Sequence, residues 1–225
     1  MKKIFIAPSI LSADFAKLGK DVKDVLFSGG DIIHFDVMDN HYVPNLTFGP
    51  MVLKSLRQYG IQAPIDVHLM VQPVDNLIPL FAKAGADIIT FHPEASQNVI
   101  GTLSLIKNFG CRAGLAINPD TSLNILSDFM DQIDVILLMS VMPGFAGQKF
   151  ILPVLKKIYQ ARKKINQCNA RILLEVDGGI NLNNVQDIAD AGADIFVIGS
   201  CIFRSKNYKY TIDMIKNKLH NLHKK

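Results

Sequence analysis

The sequence predicts an α/β protein of one kind: a (β/α)8 TIM barrel, a parallel eight-stranded barrel with outer helices. Three observations carry that expectation. The first is a recurring junction: "SGGDIIHF" (28–35), "AGADIITF" (84–91) and "AGADIFVI" (191–198) share a Gly, an Asp and then a β-branched apolar stretch. Such a glycine ends a helix by tolerating the left-handed conformation, and the stretch that follows suits a strand. The second is that strand-like and helix-like patterns alternate eight times in 225 residues with short loops, which favours a closed barrel over an open doubly wound sheet. The third is that runs such as "VILLM" and "FVI" are apolar at every position, as parallel strands covered by helices are.

In chain order the strands are expected near 4–7, 31–37, 65–70, 87–92, 112–117, 134–139, 171–176 and 194–199. The first runs into Pro8-Ser9, the second carries His34 and Asp36, and the third, "IDVHLM", carries His68 and Met70. The fourth runs into His92 and Glu94, and the fifth ends at Asn118. The sixth leads into "SVMPGFAGQ", the seventh ends "LEVDGG" with Glu175 and Asp177, and the eighth ends at Gly199-Ser200. Helices are expected between them, near 14–28, 50–59, 74–84, 97–109, 122–130, 151–166, 182–191 and 207–222. In the last, Ile212, Ile215, Leu219 and Leu222 keep helical spacing. No Pro/Gly/Ser-rich linker divides the chain, so residues 1–225 are read as a single barrel domain.

Composition excludes several classes of function. No apolar run approaches the ~18 residues a membrane span needs. The start, "MKKIFIAPSILSADF", imitates a signal peptide, but Pro8, Ser9, Ser12 and Asp14 break its apolar run and no small-residue cleavage site follows. Cys111, Cys168 and Cys201 are odd in number and far apart, which points to a reducing cytoplasm and no disulfide framework. The net charge of +4 is local: residues 206–225 hold six Lys and one Asp, or +5, so the remainder sums to −1. That is a solvated basic terminus, not a stripe for nucleic acid.

In a barrel of this kind, chemistry sits where strands run into the loops that follow them. Side chains alternate along a strand, so His34 and Asp36 share a face. Facing inward, they would meet His68 and Asp177. A lone strand histidine is ordinarily a core residue, but two imidazoles and two carboxylates from three strands suit a divalent cation such as Zn²⁺, Fe²⁺, Mn²⁺ or Co²⁺. The glycines of "PGFAGQ" (143–148), Gly178-Gly179 and Gly199-Ser200 follow three adjacent strands. Each alone would be a turn; together they favour a phosphate held by backbone N–H groups. No GxGxxG or P-loop lysine motif is present, which argues against a nucleotide. Met38, Met70 and Met139 stand at strand ends as core filler or as a soft wall around a ligand. His92 and Glu94 are read as supporting residues or a structural pair, and Asp39-Asn40 as a turn.

The segments "IAPSILSADF", "HFDVMD…VPN", "DVHLM", "PGFAGQ", "EVDGGI" and "VIGS" closely resemble ribulose-phosphate 3-epimerases, through all eight units in order from about residue 4 to 204. The resemblance implies one divalent metal held by His34, Asp36, His68 and Asp177, with Asp36 and Asp177 as the acid/base pair. It implies substrate contacts from Ser9, His68 and Asp177. It also implies a phosphate and substrate cradle from Gly144, Phe145, Ala146 and Gly147, with Gly178, Gly179, Gly199 and Ser200. This sequence departs from the family pattern at Met142, Ala146, Asn40 and Tyr42, and Ala146 bears on the loop's geometry. The implied reaction interconverts D-ribulose 5-phosphate and D-xylulose 5-phosphate through an enediolate, with a ketopentose phosphate as the partner and no nucleic acid or membrane; a homo-oligomer stays open. Three rivals remain: an epimerase of another ketose phosphate such as allulose 6-phosphate, a non-catalytic sugar-phosphate binding barrel, and a phosphate-barrel decarboxylase. The presence of both Asp36 and Asp177 argues against the second, and "DVHLM" in place of a DxKxxD run argues against the third.

Overall fold

The computed structural model describes residues 4–168 and 171–220. Eight strands form one sheet: β1 (Phe5–Ala7), β2 (Ile33–Met38), β3 (Ile65–Met70), β4 (Ile88–Phe91), β5 (Arg112–Ile117), β6 (Val135–Met139), β7 (Leu173–Asp177) and β8 (Ile195–Val197). Every pairing is parallel, in the order β1-β8-β7-β6-β5-β4-β3-β2. A bridge between Ser9 and His34, supported by the amide of His34 donating to the carbonyl of Pro8 at 3.1 Å, brings β1 beside β2 and draws the sheet into a barrel. The helices around it are α1 (Leu18–Phe27), α2 (Pro50–Gln58), α3 (Ile78–Ala84), α4 (Val99–Asn108), α5 (Val154–Gln167), α6 (Val185–Asp190), α7 (Ser200–Phe203) and α8 (Tyr208–His220).

Two elements differ from expectation. The helix expected at 122–130 is a 3-10 helix, Leu123–Asp128. Its buried residues Leu123 and Leu126 are three apart, which matches the three-residue turn of that helix, and Ser, Asn and Asp within it compete with α-helical bonding. The single turn α7, directly after β8, has too few residues to leave a periodic pattern. In α8, Ile212, Ile215 and Leu219 are buried as their spacing implies; Leu222 lies outside the described residues.

The pleat divides each strand between two environments. Ile33, Phe35 and Val37 of β2 join the large apolar mantle between sheet and helices, as do Val67 and Leu69 of β3 and Leu174 and Val176 of β7. The alternate residues point into the barrel. There Gly114 leaves room for Thr90, whose Oγ1 would stand 2.4 Å from any Cβ at that glycine.

The junction repeat has a structural reason. Asp31, Asp87, Asp134 and Asp194 precede β2, β4, β6 and β8. Each uses its carboxylate to accept a bond from the start of the preceding strand: Ile6 N at 2.8 Å, Ile65 N at 2.8 Å, Ala113 N at 2.9 Å and Leu174 N at 2.8 Å. These four clamps tie β1 to β2, β3 to β4, β5 to β6 and β7 to β8 at the end of the barrel away from the mouth. Two are reinforced in the same way. Arg57 donates to the carbonyl of Gly85 and pairs with Asp87; Arg162 donates to the carbonyl of Gly192 and pairs with Asp194.

Candidate active site

The register of β2 on β3 sets Asp36 beside His68 and His34 beside Asp66. All four side chains are buried. Asp36 Oδ1 lies 3.3 Å from His34 Nε2 and 3.2 Å from His68 Nδ1, while its Oδ2 accepts the Ser9 hydroxyl at 2.6 Å. Asp177 completes the group from the end of β7. One donor atom from each of His34, Asp36, His68 and Asp177 lies within 4.8 Å of the others. The Nε2 of His34 is buried yet has no hydrogen-bond partner. An orphaned imidazole nitrogen facing carboxylate oxygens and a second imidazole fits a divalent transition metal, and this mixed N/O donor set suits Zn²⁺, Fe²⁺, Mn²⁺ and Co²⁺ alike.

The electrostatics drive the two carboxylates apart. Burial works against a charged Asp36, but the charge of His34 and the close approach of both imidazoles outweigh it and hold the carboxyl well below the usual carboxylate range. Burial and the charge of Asp36 push Asp177 up to about 7. Burial likewise works against a charged His34, yet Asp36, Asp66 and Glu175 around it raise its affinity for a proton well above that of a free imidazole. Two carboxylates at one site with opposed proton affinities are suited to acid and base roles.

Beneath these residues lies a supporting layer, in which the sequence reading named His92 but gave no role to Asp66 or Glu175. His34 Nδ1 faces Asp66 Oδ2 at 3.2 Å and Glu175 Oε1 at 3.4 Å. His68 Nε2 is 2.9 Å from His92 Nε2. Each imidazole of the candidate metal set therefore has its second nitrogen engaged, which fixes ring orientation. Asp66 was legible in principle, since it stands two residues before His68 and so shares its face. Glu94 does not pair with His92; it accepts the Thr121 hydroxyl at 2.8 Å.

The candidate cradle opens above. Ser9, Asp36 and Asp177 line one cleft with the loop Gly144–Gly147, Gly178-Gly179 and Gly199-Ser200. Met38, Met70 and Met139 form its apolar wall. His34 and His68 are fully buried below it, so His68 reaches the cleft through Asp36 and is not part of its lining. Gly178 has φ +120°, and a Cβ there would stand 2.9 Å from the amide nitrogen of Val141; at Gly179, φ +66°, it would stand 2.4 Å from that of Phe150. Those turns admit only glycine. Ala146, by contrast, avoids positive φ, and Asn40 adopts φ 58° in its turn, as asparagine tolerates. The loop is stapled by Gln148, which donates to the carbonyls of Met142 and Phe145, and by Asn45, which donates to that of Gly144 at 2.7 Å. Asn45 is how "VPN" shapes the rim.

A larger hollow of about 720 Å³ lies on the flank, between residues 119–124 and α5. The start of the 3-10 helix Leu123–Asp128 forms part of its edge. Its lining includes Lys156, Lys157, Lys163 and Lys164 and no His, Asp or Glu, so it is not where the titratable cluster sits.

A parallel barrel with a His/Asp cluster buried under its C-terminal mouth has the layout of a barrel enzyme with a candidate divalent-metal site. The profile of the Ribulose-phosphate 3 epimerase family matches residues 5–203. The chain is 62% identical over 219 residues to the ribulose-phosphate 3-epimerase of Escherichia coli (strain K12), covering 97% of each chain. It is 60% identical over 223 residues to that of Buchnera aphidicola subsp. Acyrthosiphon pisum, covering 99% of this chain and 98% of that one. Among solved structures, 3-hexulose-6-phosphate synthase from Salmonella typhimurium shares the fold, with a TM-score of 0.71 at 16% identity over 98% of this chain and 100% of that one. The chain belongs to the ribulose-phosphate 3-epimerase family and is an epimerase, an isomerase by class. No helix among the described residues is long and apolar enough to cross a membrane.

Proposed function

We propose that this chain interconverts D-ribulose 5-phosphate and D-xylulose 5-phosphate, with Asp36 and Asp177 as the proton-transfer pair at C3. The observation that supports this most is their meeting in one cleft beside the glycine turns, above His34 and His68. Inverting a carbon next to a ketone requires removal of its proton from one face and delivery of a proton to the other. Asp36, held charged, is the base in one direction; Asp177, with its raised proton affinity, is the acid. The roles exchange for the reverse reaction. Ser9 fixes the Asp36 carboxylate through its hydroxyl, and Asp66, Glu175 and His92 fix the two imidazoles. When bound by His34, Asp36, His68 and Asp177, a divalent cation supplies Lewis-acid stabilisation of the negative charge that develops on the substrate oxygens. At the other end of the cleft, the amides of the glycine turns hold the phosphate. That remote binding orients the reacting carbon. The wall of Met38, Met70 and Met139 keeps water from it.

The three free cysteines, one of them exposed, support a reducing cytoplasmic setting. The deciding assay sets the purified protein, replete with divalent metal, against D-ribulose 5-phosphate, D-allulose 6-phosphate and free D-ribulose. The expected order of kcat/KM places ribulose 5-phosphate first by at least about a hundredfold, an interval of roughly 2.7 kcal/mol. A preference for allulose 6-phosphate reassigns the substrate, and comparable turnover of free ribulose removes the phosphate cradle.

A further inference from the structure

Two of the five arginines are committed at the strand junctions. Arg57 bonds the carbonyls of Gly85, Ile61 and Ala63 and pairs with Asp87; Arg162 bonds the carbonyl of Gly192 and pairs with Asp194. Arg204 is different. It is exposed; its backbone N–H donates to the carbonyl of Ser200 at 3.2 Å, and among the described residues its side chain makes no hydrogen bond and no ion pair. Yet its guanidinium is not adrift: both terminal nitrogens stand 3.7 Å from where a Cβ on Gly147 would lie, and its carbon 4.0 Å away. Gly147 is a cleft residue, with φ +80°. The short helix α7 explains the placement. Its first residue, Ser200, lines the cleft with Gly199, and one turn later the chain delivers Arg204 to the back of the facing loop.

We propose that Arg204 is a specificity residue for the phosphate end of the substrate. It rests on the phosphate reading above. The cleft itself is lined by two carboxylates, Asp36 and Asp177, and by no Lys or Arg. A phosphate monoester brings a further charge of about −1.5 to −2 near neutral pH. Backbone amides offset part of that. The guanidinium behind Gly147 adds a full positive charge separated from the cleft by one glycine's backbone, well inside a Debye length of about 8 Å. Because Gly147 carries no side chain, nothing intervenes to hold the charge away. An arginine so placed also keeps its donor fork free for phosphate oxygens at the loop edge, where a lysine offers only a point charge. The matched family profile stops at Phe203, one residue short of it.

The test compares R204Q and R204K with the parent enzyme, metal-replete, using two readouts: steady-state constants for D-ribulose 5-phosphate, and competitive inhibition by inorganic phosphate. R204Q should raise both KM and the inhibition constant for phosphate about fivefold, the scale of a partly screened charge pair, and leave kcat within about twofold. R204K should restore most of the loss. Added sodium chloride should weaken phosphate inhibition of the parent enzyme more steeply than that of R204Q. The proposal is overturned if KM and the phosphate inhibition constant both stay within about twofold of the parent's, the scatter of a surface substitution. A fall in kcat with an unchanged inhibition constant also overturns it, since that marks a structural role. Failure of the underlying reading shows earlier and separately, as turnover of free ribulose by the unmodified protein.

Discussion

At the scale of single residues, Asp36 and Asp177 make the sharpest claim. If they act from opposite faces, the carboxyl that removes the C3 proton returns it only to the face it came from. The other delivers a proton already exchanged with solvent. In D₂O, product sampled at low conversion should therefore carry deuterium at C3 while residual substrate stays protiated, as followed by proton NMR. Product that retains the substrate's own hydrogen would exclude two bases. The candidate metal set of His34, Asp36, His68 and Asp177 makes a second claim at this scale. In the metal-free protein His34 holds its proton more tightly than a free imidazole, and Asp177 titrates near about 7. Asp177 is therefore mostly protonated at pH 6 and mostly ionised at pH 8, while His34 keeps its proton to higher pH than a free imidazole, and a cation must displace the protons these groups hold. Zn²⁺ affinity, measured by competition with a chromophoric chelator, should be at least about tenfold weaker at pH 6 than at pH 8, since each displaced proton contributes up to tenfold per pH unit. Affinity that does not change with pH would mean the four side chains do not bind the ion together. These residues were legible because strand alternation and motif both pointed to them. Glu175 was less so: what recruits it is a contact across the barrel with His34, and spacing along the chain says nothing about which strands face which, whereas His92, at the end of the strand beside His68, was readable as a supporting residue.

At the scale of the element, the loop after β6 and the turn after β7 behave differently toward a single methyl group. Gly178→Ala forces a Cβ against the Val141 backbone at a positive φ, a strain of about 1–3 kcal/mol. It should lower the melting temperature and also displace the Asp177 that precedes it, so kcat should fall along with stability. Ala146→Gly relieves no strain, because Ala146 already avoids positive φ. Its effect on KM should stay below about tenfold, or 1.4 kcal/mol. A larger change would show that Ala146 sets how the loop closes. Sequence located this loop but not its fastenings: Gln148 and Asn45 are ordinary polar residues until the fold sets them under the carbonyls they hold. The same holds for the 3-10 helix at Leu123–Asp128, where apolar residues three and four apart fit either helix and only the packing chose.

At the scale of the whole molecule, strand order and the eightfold alternation were readable because a parallel barrel leaves a periodic mark: apolar strand, amphipathic helix, glycine, aspartate. The meaning of the aspartate was not readable. It sits one strand away from the amide it serves, and pairing cannot be inferred from one chain's spacing. Once seen, the four clamps divide the barrel into successive strand pairs, each tied within itself by Asp31, Asp87, Asp134 or Asp194. Removing a buried acceptor and leaving its amide unpaired costs about 1–3 kcal/mol. Asp194→Ala should fall in the upper part of that range, because Arg162 and the amide of Leu174 both lose their partner. Urea unfolding would measure it, and a loss below about 0.5 kcal/mol, the ordinary surface scatter, would show the clamp to be incidental.

That pairing makes the chain divisible in a way its continuous mantle of apolar side chains conceals. Moving the termini, by joining the old ends and reopening the backbone elsewhere, should be tolerated unevenly around the ring. A break between Gly110 and Cys111 falls at a seam, with a complete pair on either side. A break between Ile133 and Asp134 falls inside a pair and leaves Asp134 at a free end, where its hold on Ala113 must be rebuilt without the tether. The first permuted chain should refold to an active barrel and the second should be the less stable of the two. If both tolerate the cut equally, the strands are joined by the sheet alone and the aspartates are only its trim. If they do not, this barrel is four parts assembled in a circle, and its joints are still open to rearrangement.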